Sequence, residues 1–162
     1  NKLPVLFVCE NNLYSVYSSL SVRQPKNRSI AKMVNAMGIK SFCIDGNDVC
    51  KIYEITSREL SKIRSGLGPR FIEFTTYRWR EHCGPNFDNH IGYRTEKEFN
   101  KWKKKDPIKQ FEKKLLKNNE ITKEEIKKID DNLLKKINLA YNYAEKSPFP
   151  KSSEAFKNVY AK

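Results

Sequence analysis

Two segments of this 162-residue chain carry side chains suited to chemistry. The first is Glu10-Asn11-Asn12-Leu13-Tyr14, which follows directly on the apolar run Leu3 to Cys9. If that run is a strand, the amide and carbonyl oxygens after it sit at the C-terminal edge of a sheet. Hard oxygen donors there suit Mg²⁺, which usually shares its shell with substrate phosphates. Two adjacent Asn after a strand are more often a turn with local side-chain hydrogen bonds. The second segment holds His82, with Arg78 four residues before it and Tyr93-Arg94 beyond it. An imidazole can donate to a developing oxyanion or shuttle a proton. Arg78 has an alternative as the ion-pair partner of Glu81 or Asp88, and Tyr93 and Arg94 have one in stabilising the loop.

The elements that must position these residues follow from pattern. Leu3 to Cys9 is apolar throughout and leaves no polar face, which predicts a buried strand. Residues 11 to 28 are rich in Ser and Tyr, contain Gln24-Pro25, and predict a loop. Ser29 or a neighbour caps a helix over 30–37, and Gly38 stops it. Ser41-Phe42-Cys43-Ile44 predicts a second strand that turns at Asp45-Gly46-Asn47-Asp48. Asp48 then caps a helix over 49–64 whose apolar stripe is Val49, Ile52, Ile55, Leu60 and Ile63. A third strand is expected from Arg70 to Thr76, opening into an aperiodic stretch that includes His82. Three strands each feeding a loop describe half of a parallel sheet, and such sheets bind ligands at the C-terminal ends of their strands.

From Thr95 the pattern turns helical. Thr95 with Glu98 and Thr122 with Glu125 both have the spacing of a capping box, and Asp106-Pro107 starts a helix between them. The last helix carries Ile126, Ile129, Leu133, Leu134 and Ile137 and stops at Ser147-Pro148-Phe149-Pro150. The expected division is residues 1–94, an α/β part, and residues 95–162, a helical extension.

Composition excludes several classes. With 38% hydrophobic residues, 6 Gly and 7 Pro, the chain is neither collagen-like nor wholly disordered. No apolar run approaches the roughly 18 residues of a membrane span. The net charge of +13 invites a nucleic-acid reading. Against it, the excess is spread evenly, at +6 in residues 1–94 and +7 in residues 95–162, and 24 of the 32 cations are Lys rather than Arg. Cys9, Cys43, Cys50 and Cys83 lack zinc-ligand spacing, and Cys9 and Cys43 are expected as buried, inert thiols in a reducing, cytoplasmic setting. With no starting Met and a strand-like run at once, the sequence is expected to be cut through a domain.

Several motifs occur in an order found in one family: the run Leu3 to Asn12; Asp45-Gly46-Asn47-Asp48; Arg64-x-Gly66-x-Gly68-Pro69; Glu73-x-x-Thr76-Tyr77-Arg78; His82; Tyr93-Arg94; and Trp102-x-x-x-Asp106-Pro107-Ile108. The chain closely resembles the C-terminal half of the alpha subunit of thiamine diphosphate-dependent 2-oxo acid dehydrogenases, which include pyruvate, branched-chain 2-oxo acid and acetoin dehydrogenases. The resemblance implies a parallel-sheet thiamine diphosphate-binding domain followed by a helical segment. It implies that the Asn12 side chain and the Tyr14 backbone carbonyl are Mg²⁺ ligands, that Asn11 is a neighbour, and that the Gly-Asp-Gly opening of the motif lies outside this sequence. It places His82 in the loop over the cofactor's reactive end, with Arg78 beside it, both as catalytic residues, and counts His82 with Asn12 and Tyr14 as cofactor-binding. The implied partners are a beta subunit in a heterotetramer, which supplies the activating carboxylate, and a lipoyl-bearing acyltransferase; no membrane or nucleic acid is involved. Glu73 is expected as a structural hydrogen-bond acceptor.

The chain departs from the mammalian pattern in having Cys83 where a regulated Ser follows the loop His, so phosphorylation at that position is excluded. The loop from His82 to Tyr93 is also slightly longer. Two other readings stand beside the dehydrogenase: a thiamine diphosphate-dependent carboligase or decarboxylase in a biosynthetic pathway without a lipoyl partner, and a basic binding module.

Overall fold

In a computed structural model, residues 2–160 are described. They contain the strands β1 (Leu6–Asn11), β2 (Tyr14–Ser15), β3 (Ser18–Ser19), β4 (Lys40–Asp45) and β5 (Arg70–Thr75). The helices are α1 (Leu20–Arg23), α2 (Ile30–Ala36), α3 (Val49–Arg64), α4 (Glu96–Lys103), α5 (Pro107–Lys117) and α6 (Lys123–Lys146). The chain divides into two compact units, the first ending at Lys114 and the second beginning at Leu115.

In the first unit β1, β5 and β4 form a parallel sheet in that order, so the last strand in sequence is central. This is the expected α/β, parallel-sheet class. Side chains alternate across a strand. On β5, Ile72 and Phe74 pack against Ile55 of α3, with Leu6, Phe42, Ile44 and Ile52 around them, while Glu73 between them lies against α2. Gly46 is crowded, because a Cβ would stand 3.0 Å from the Phe74 Cβ and 3.1 Å from the Thr75 carbonyl, and these neighbours would have to give by a few tenths of an ångström. The ends of β4 and β5 can therefore approach closely.

Helix starts follow the capping residues. Ser29 accepts from the Lys32 amide, Asp48 from the Lys51 amide, and Asp106 from the Ile108 and Lys109 amides. In the second unit Thr122 and Glu125 close a complete capping box on α6, as expected. The apolar positions Ile129, Leu133, Leu134 and Ile137 of α6 are half exposed.

The structure corrects several expectations. The first strand starts at Leu6 and is not buried, since Phe7 and Val8 are 47% and 54% exposed. Among the described residues it is a sheet edge, paired on one side with β5. The expected loop over residues 11–28 contains a two-residue-ladder hairpin, β2 with β3, and the short helix α1. Its repeated Ser and Tyr lack the length for a periodic signal. Cys43 is exposed and Cys9 half-buried, and both thiols are free. Both nevertheless titrate above the ordinary thiol range, through partial burial and the charge of Glu73, their register partner on β5. On α3, Val49 is exposed and Glu59, outside the expected stripe, is buried completely.

Glu59 survives burial because three cations surround it. Arg58 donates at 2.9 Å, Lys62 at 3.0 Å and Arg70 at 3.2 Å. Burial raises a carboxyl, but the hydrogen bonds and charges of Lys62 and Arg58 outweigh it and hold Glu59 below the ordinary range. With the folded pKa below the unfolded one, the stabilisation is present above the ordinary glutamate range. It is lost as pH falls through the depressed folded value. Urea unfolding should show this acid loss in the wild type and a smaller one in Glu59→Gln, which does not titrate; equal acid slopes would contradict the assignment.

Candidate functional site

The C-terminal ends of the three parallel strands lie side by side: Asn11 and Asn12 after β1, the Asp45-Gly46-Asn47 turn after β4, and Thr75-Thr76-Tyr77-Arg78 after β5. Buried polar side chains join them. Asn47, 2% exposed, takes Asp45 as acceptor for its side-chain amide at 2.9 Å and accepts from the Thr76 hydroxyl at 3.1 Å. The Thr75 hydroxyl donates to the Ile44 carbonyl.

Glu73 sets the position of the first strand end. One carboxylate oxygen accepts from the Asn11 side-chain amide at 2.7 Å, and the other from the Ala31 backbone amide at 3.0 Å in the first turn of α2. The carboxylate thus satisfies an orphan helix donor and favours its positive end. This matches the structural role expected of Glu73. Asn11 is fully engaged, because its side-chain oxygen also accepts from the Leu13 amide.

Asn12 accepts from the Tyr14 amide at 3.2 Å, so both Asn side chains do form the local turns expected of such a pair. Leu13 reaches φ 71° within them. Asn12 and Tyr14 line a cavity of about 330 Å³ with Glu10, Arg23, Gln24 and Ile30. The buried side-chain oxygen of Gln24 has no hydrogen-bond partner there among the described residues. The amide oxygen of Asn12 and the backbone carbonyls of the lining residues are hard oxygen donors of the kind that fit a hard cation bringing phosphate charge with it, with the Glu10 carboxylate and the Arg23 guanidinium in the same lining.

Tyr14 is held at both ends. Its ring meets those of Tyr77 and Tyr93 edge-on, at 6.1 and 5.4 Å, and its hydroxyl donates to Glu98 at 2.7 Å. Glu98 is therefore not returned to Thr95, and the expected capping box on α4 is only half formed. Tyr77 is buried, stacks on Trp102 at 5.5 Å, and its hydroxyl has no hydrogen-bond partner among the described residues. Burial pushes its phenol up to about 12, against the opposing charge of Arg94.

Arg78 and His82 part company. Arg78 pairs with neither Glu81 nor Asp88; it donates to the Val16 carbonyl at 2.7 Å and the Tyr93 hydroxyl at 3.1 Å. It therefore ties the β2–β3 hairpin to the later loop. Asp88 belongs instead to Arg94: both are buried, 2.6 Å apart, and Tyr93 donates to the other Asp88 oxygen at 2.8 Å. Arg94 also donates to the Arg78 and Trp79 carbonyls and lies over the rings of Tyr77, Tyr93 and Phe99. Tyr93 and Arg94 are the loop's anchor. The sequence carries no signal for Asp88 as the hub, since it is one of two acids, with Glu81, in an aperiodic loop.

His82 is exposed and makes no hydrogen bond among the described residues. It rides on a six-residue loop closed by Glu81 and Asn86, where the Asn86 backbone and side-chain amides both donate to the Glu81 carboxylate. A Cβ on Gly84 would displace that carboxylate. No hydrogen bond or ion pair joins His82 to Asn12 or Tyr14, whereas Arg78 and Tyr14 meet through Tyr93 and the hairpin.

Comparison with known proteins adds family membership. A family model described as "Dehydrogenase E1 component" matches residues 1–153. The pyruvate dehydrogenase E1 component subunit alpha of Rickettsia bellii (strain RML369-C) is 30% identical over 158 residues, which is 98% of this chain and 47% of that protein. The chloroplastic subunit alpha-3 of Arabidopsis thaliana is 33% identical over 99% of this chain and 36% of its own length. The alpha subunit of Porphyra purpurea is 31% identical over 99% and 45%. The chain spans about half, or less, of the length of these relatives.

Removing Asp88 tests the anchor. Asp88→Ala leaves the Arg94 guanidinium buried and unpaired, which is expected to cost about 3–5 kcal/mol in urea unfolding and to speed proteolysis between residues 77 and 95. A loss under about 1 kcal/mol would show that the pair does not hold the loop.

Proposed function

The chain belongs to the dehydrogenase E1 component family and is of the alpha-subunit type; from that premise we propose that it binds the diphosphate end of thiamine diphosphate through Mg²⁺. The full enzyme would act on a 2-oxo acid or acyloin and pass the acyl unit to the disulfide of a lipoyl group. Residues 1–94 form the C-terminal part of the diphosphate-binding domain in this reading, and residues 95–162 its helical extension. The observation that carries it is that Asn12 and Tyr14 line one cavity at the end of β1.

When bound, thiamine diphosphate supplies the nucleophilic carbon and the electron sink, and the protein supplies binding, orientation and electrostatics. The side-chain oxygen of Asn12 and the backbone carbonyl of Tyr14 would hold the metal. Neutral ligands suit this task, because the diphosphate itself brings the anionic oxygens. Glu73 stays in the framework, with both its oxygens occupied by protein donors. The exposed His82 ring is the proposed proton donor at the reacting oxygen, carried there by its loop over the cofactor's reactive end. Arg78 supports that loop through Tyr93.

A beta subunit in a heterotetramer would supply the remaining half of the active site, and a lipoyl-bearing acyltransferase would accept the acyl group. Among the described residues no helix is long and apolar enough to cross a membrane.

Calorimetry on the complete subunit mixed with its beta chain tests the binding half. Thiamine diphosphate should bind only with Mg²⁺, and Asn12→Ala should weaken binding by about 1–3 kcal/mol, the cost of losing a buried polar partner. Metal-independent binding, or none at all, would overturn the proposal. In the same complex His82→Ala should lower kcat by roughly 10²-fold or more while leaving cofactor affinity in place.

A further inference from the structure

We propose that Glu98 is a positioning residue for the metal ligand on Tyr14; the inference rests on the reading of Asn12 and Tyr14 given above. Glu98 lies 84 residues away in sequence and accepts the Tyr14 hydroxyl at 2.7 Å. It reaches this bond by abandoning a local one. Thr122-x-x-Glu125 and Thr95-x-x-Glu98 have the same spacing, and in each the Thr hydroxyl accepts from the Glu backbone amide. Glu125 returns its carboxylate to the backbone amide of Thr122 at 2.8 Å. Glu98 does not return to Thr95, and its carboxylate turns to the phenol instead. Hydrogen bonds to an ionised carboxylate are roughly twice as strong as neutral ones.

The bond reaches the backbone because the hairpin that bears Tyr14 is poorly held by itself. β2 pairs with β3 over two residues only. Leu13 and Val16 on either side have φ of 71° and 54°, a region that side-chain-bearing residues rarely adopt. A hairpin this short is at best marginal in water. Two distant side chains tie it to the sheet end: Arg78 at the Val16 carbonyl, and Glu98 at the Tyr14 hydroxyl. With its ring packed against Tyr77 and Tyr93 and its hydroxyl fixed, Tyr14 has a set direction for its own carbonyl. Glu98 thus acts through Tyr14 and touches neither metal nor substrate.

The test titrates Mg²⁺ into the complete subunit with its beta chain at saturating thiamine diphosphate, read by calorimetry. Glu98→Ala and Tyr14→Phe should each raise the Mg²⁺ Kd roughly tenfold, and the double variant should raise it no further. Glu98→Gln, whose amide oxygen still accepts from the phenol, should lose less. Thr95→Ala removes the helix cap without touching Tyr14 and should leave Mg²⁺ affinity in place, which a purely structural role of the α4 start would not predict. Unchanged affinity in Tyr14→Phe, while Asn12→Ala weakens it, overturns the role of Glu98 and leaves the metal site standing. Unchanged affinity in Asn12→Ala overturns both. If Glu98→Ala fails to fold, Tyr14→Phe, which deletes a single oxygen, decides the matter.

Discussion

One buried carboxylate organises the edge of the sheet where the site lies. Glu73 stands on the central strand with Ile72 and Phe74 on either side, 5% exposed, and spends one oxygen on α2 and the other on Asn11. An ionised group in such a place is tolerated only when its hydrogen bonds are complete. Completing them fixes two other elements. The first turn of α2 is drawn to the sheet, and Asn11 is held at the end of β1, so the turn that follows through Asn12 and Leu13 to Tyr14 has a defined origin. The thiols of Cys9 and Cys43, in register with Glu73, are raised by the same charge.

Further from the strand ends, polar hubs act together with aromatic packing to carry the loops. The buried apolar cluster is small, centred on Ile55, Ile72 and Phe74. The loop over residues 77–95 has almost no share in it and depends on Asp88 with Arg94, while Asn47 clamps the ends of β4 and β5. Such networks specify one geometry because an unpaired member is costly. That suits a region proposed to place a metal, a cofactor and a loop histidine within tenths of an ångström.

The sequence made the regular elements legible and left their long-range ties hidden. Ser29, Asp48 and Thr122 announce their helices because capping is local chemistry, and α3 runs over the predicted residues. The run Leu3 to Cys9 suggested a buried strand because apolar content reports what a strand is built to cover, not what lies beside it; here β1 is an edge. The β2–β3 hairpin was invisible, since two-residue strands have no period to detect. Asn12 and Tyr14 are proposed as ligands on family motifs, and their place at a strand end was legible through the pattern. The partners Glu98, Arg78 with Val16, and Asp88 with Arg94 were not, because each pairing is decided by which side chain tertiary structure brings within reach. Glu98 is the clearest case: its spacing spelled a capping box, and a phenol from another element took the carboxylate.

The most direct measurement of the central claim is amide hydrogen exchange in Glu73→Gln. Both carboxylate oxygens accept from N–H donors, and a glutamine can oppose only one of them with an oxygen; the other donor then faces an amide NH₂. The hold of the Glu73 carboxylate on the turn predicts faster exchange at Ala31, Leu13 and Tyr14, with the amides of α3 and the central strand keeping their protection. Unchanged exchange at Leu13 and Tyr14 would contradict it, because the turn that carries the proposed ligands would then hold its shape without the carboxylate.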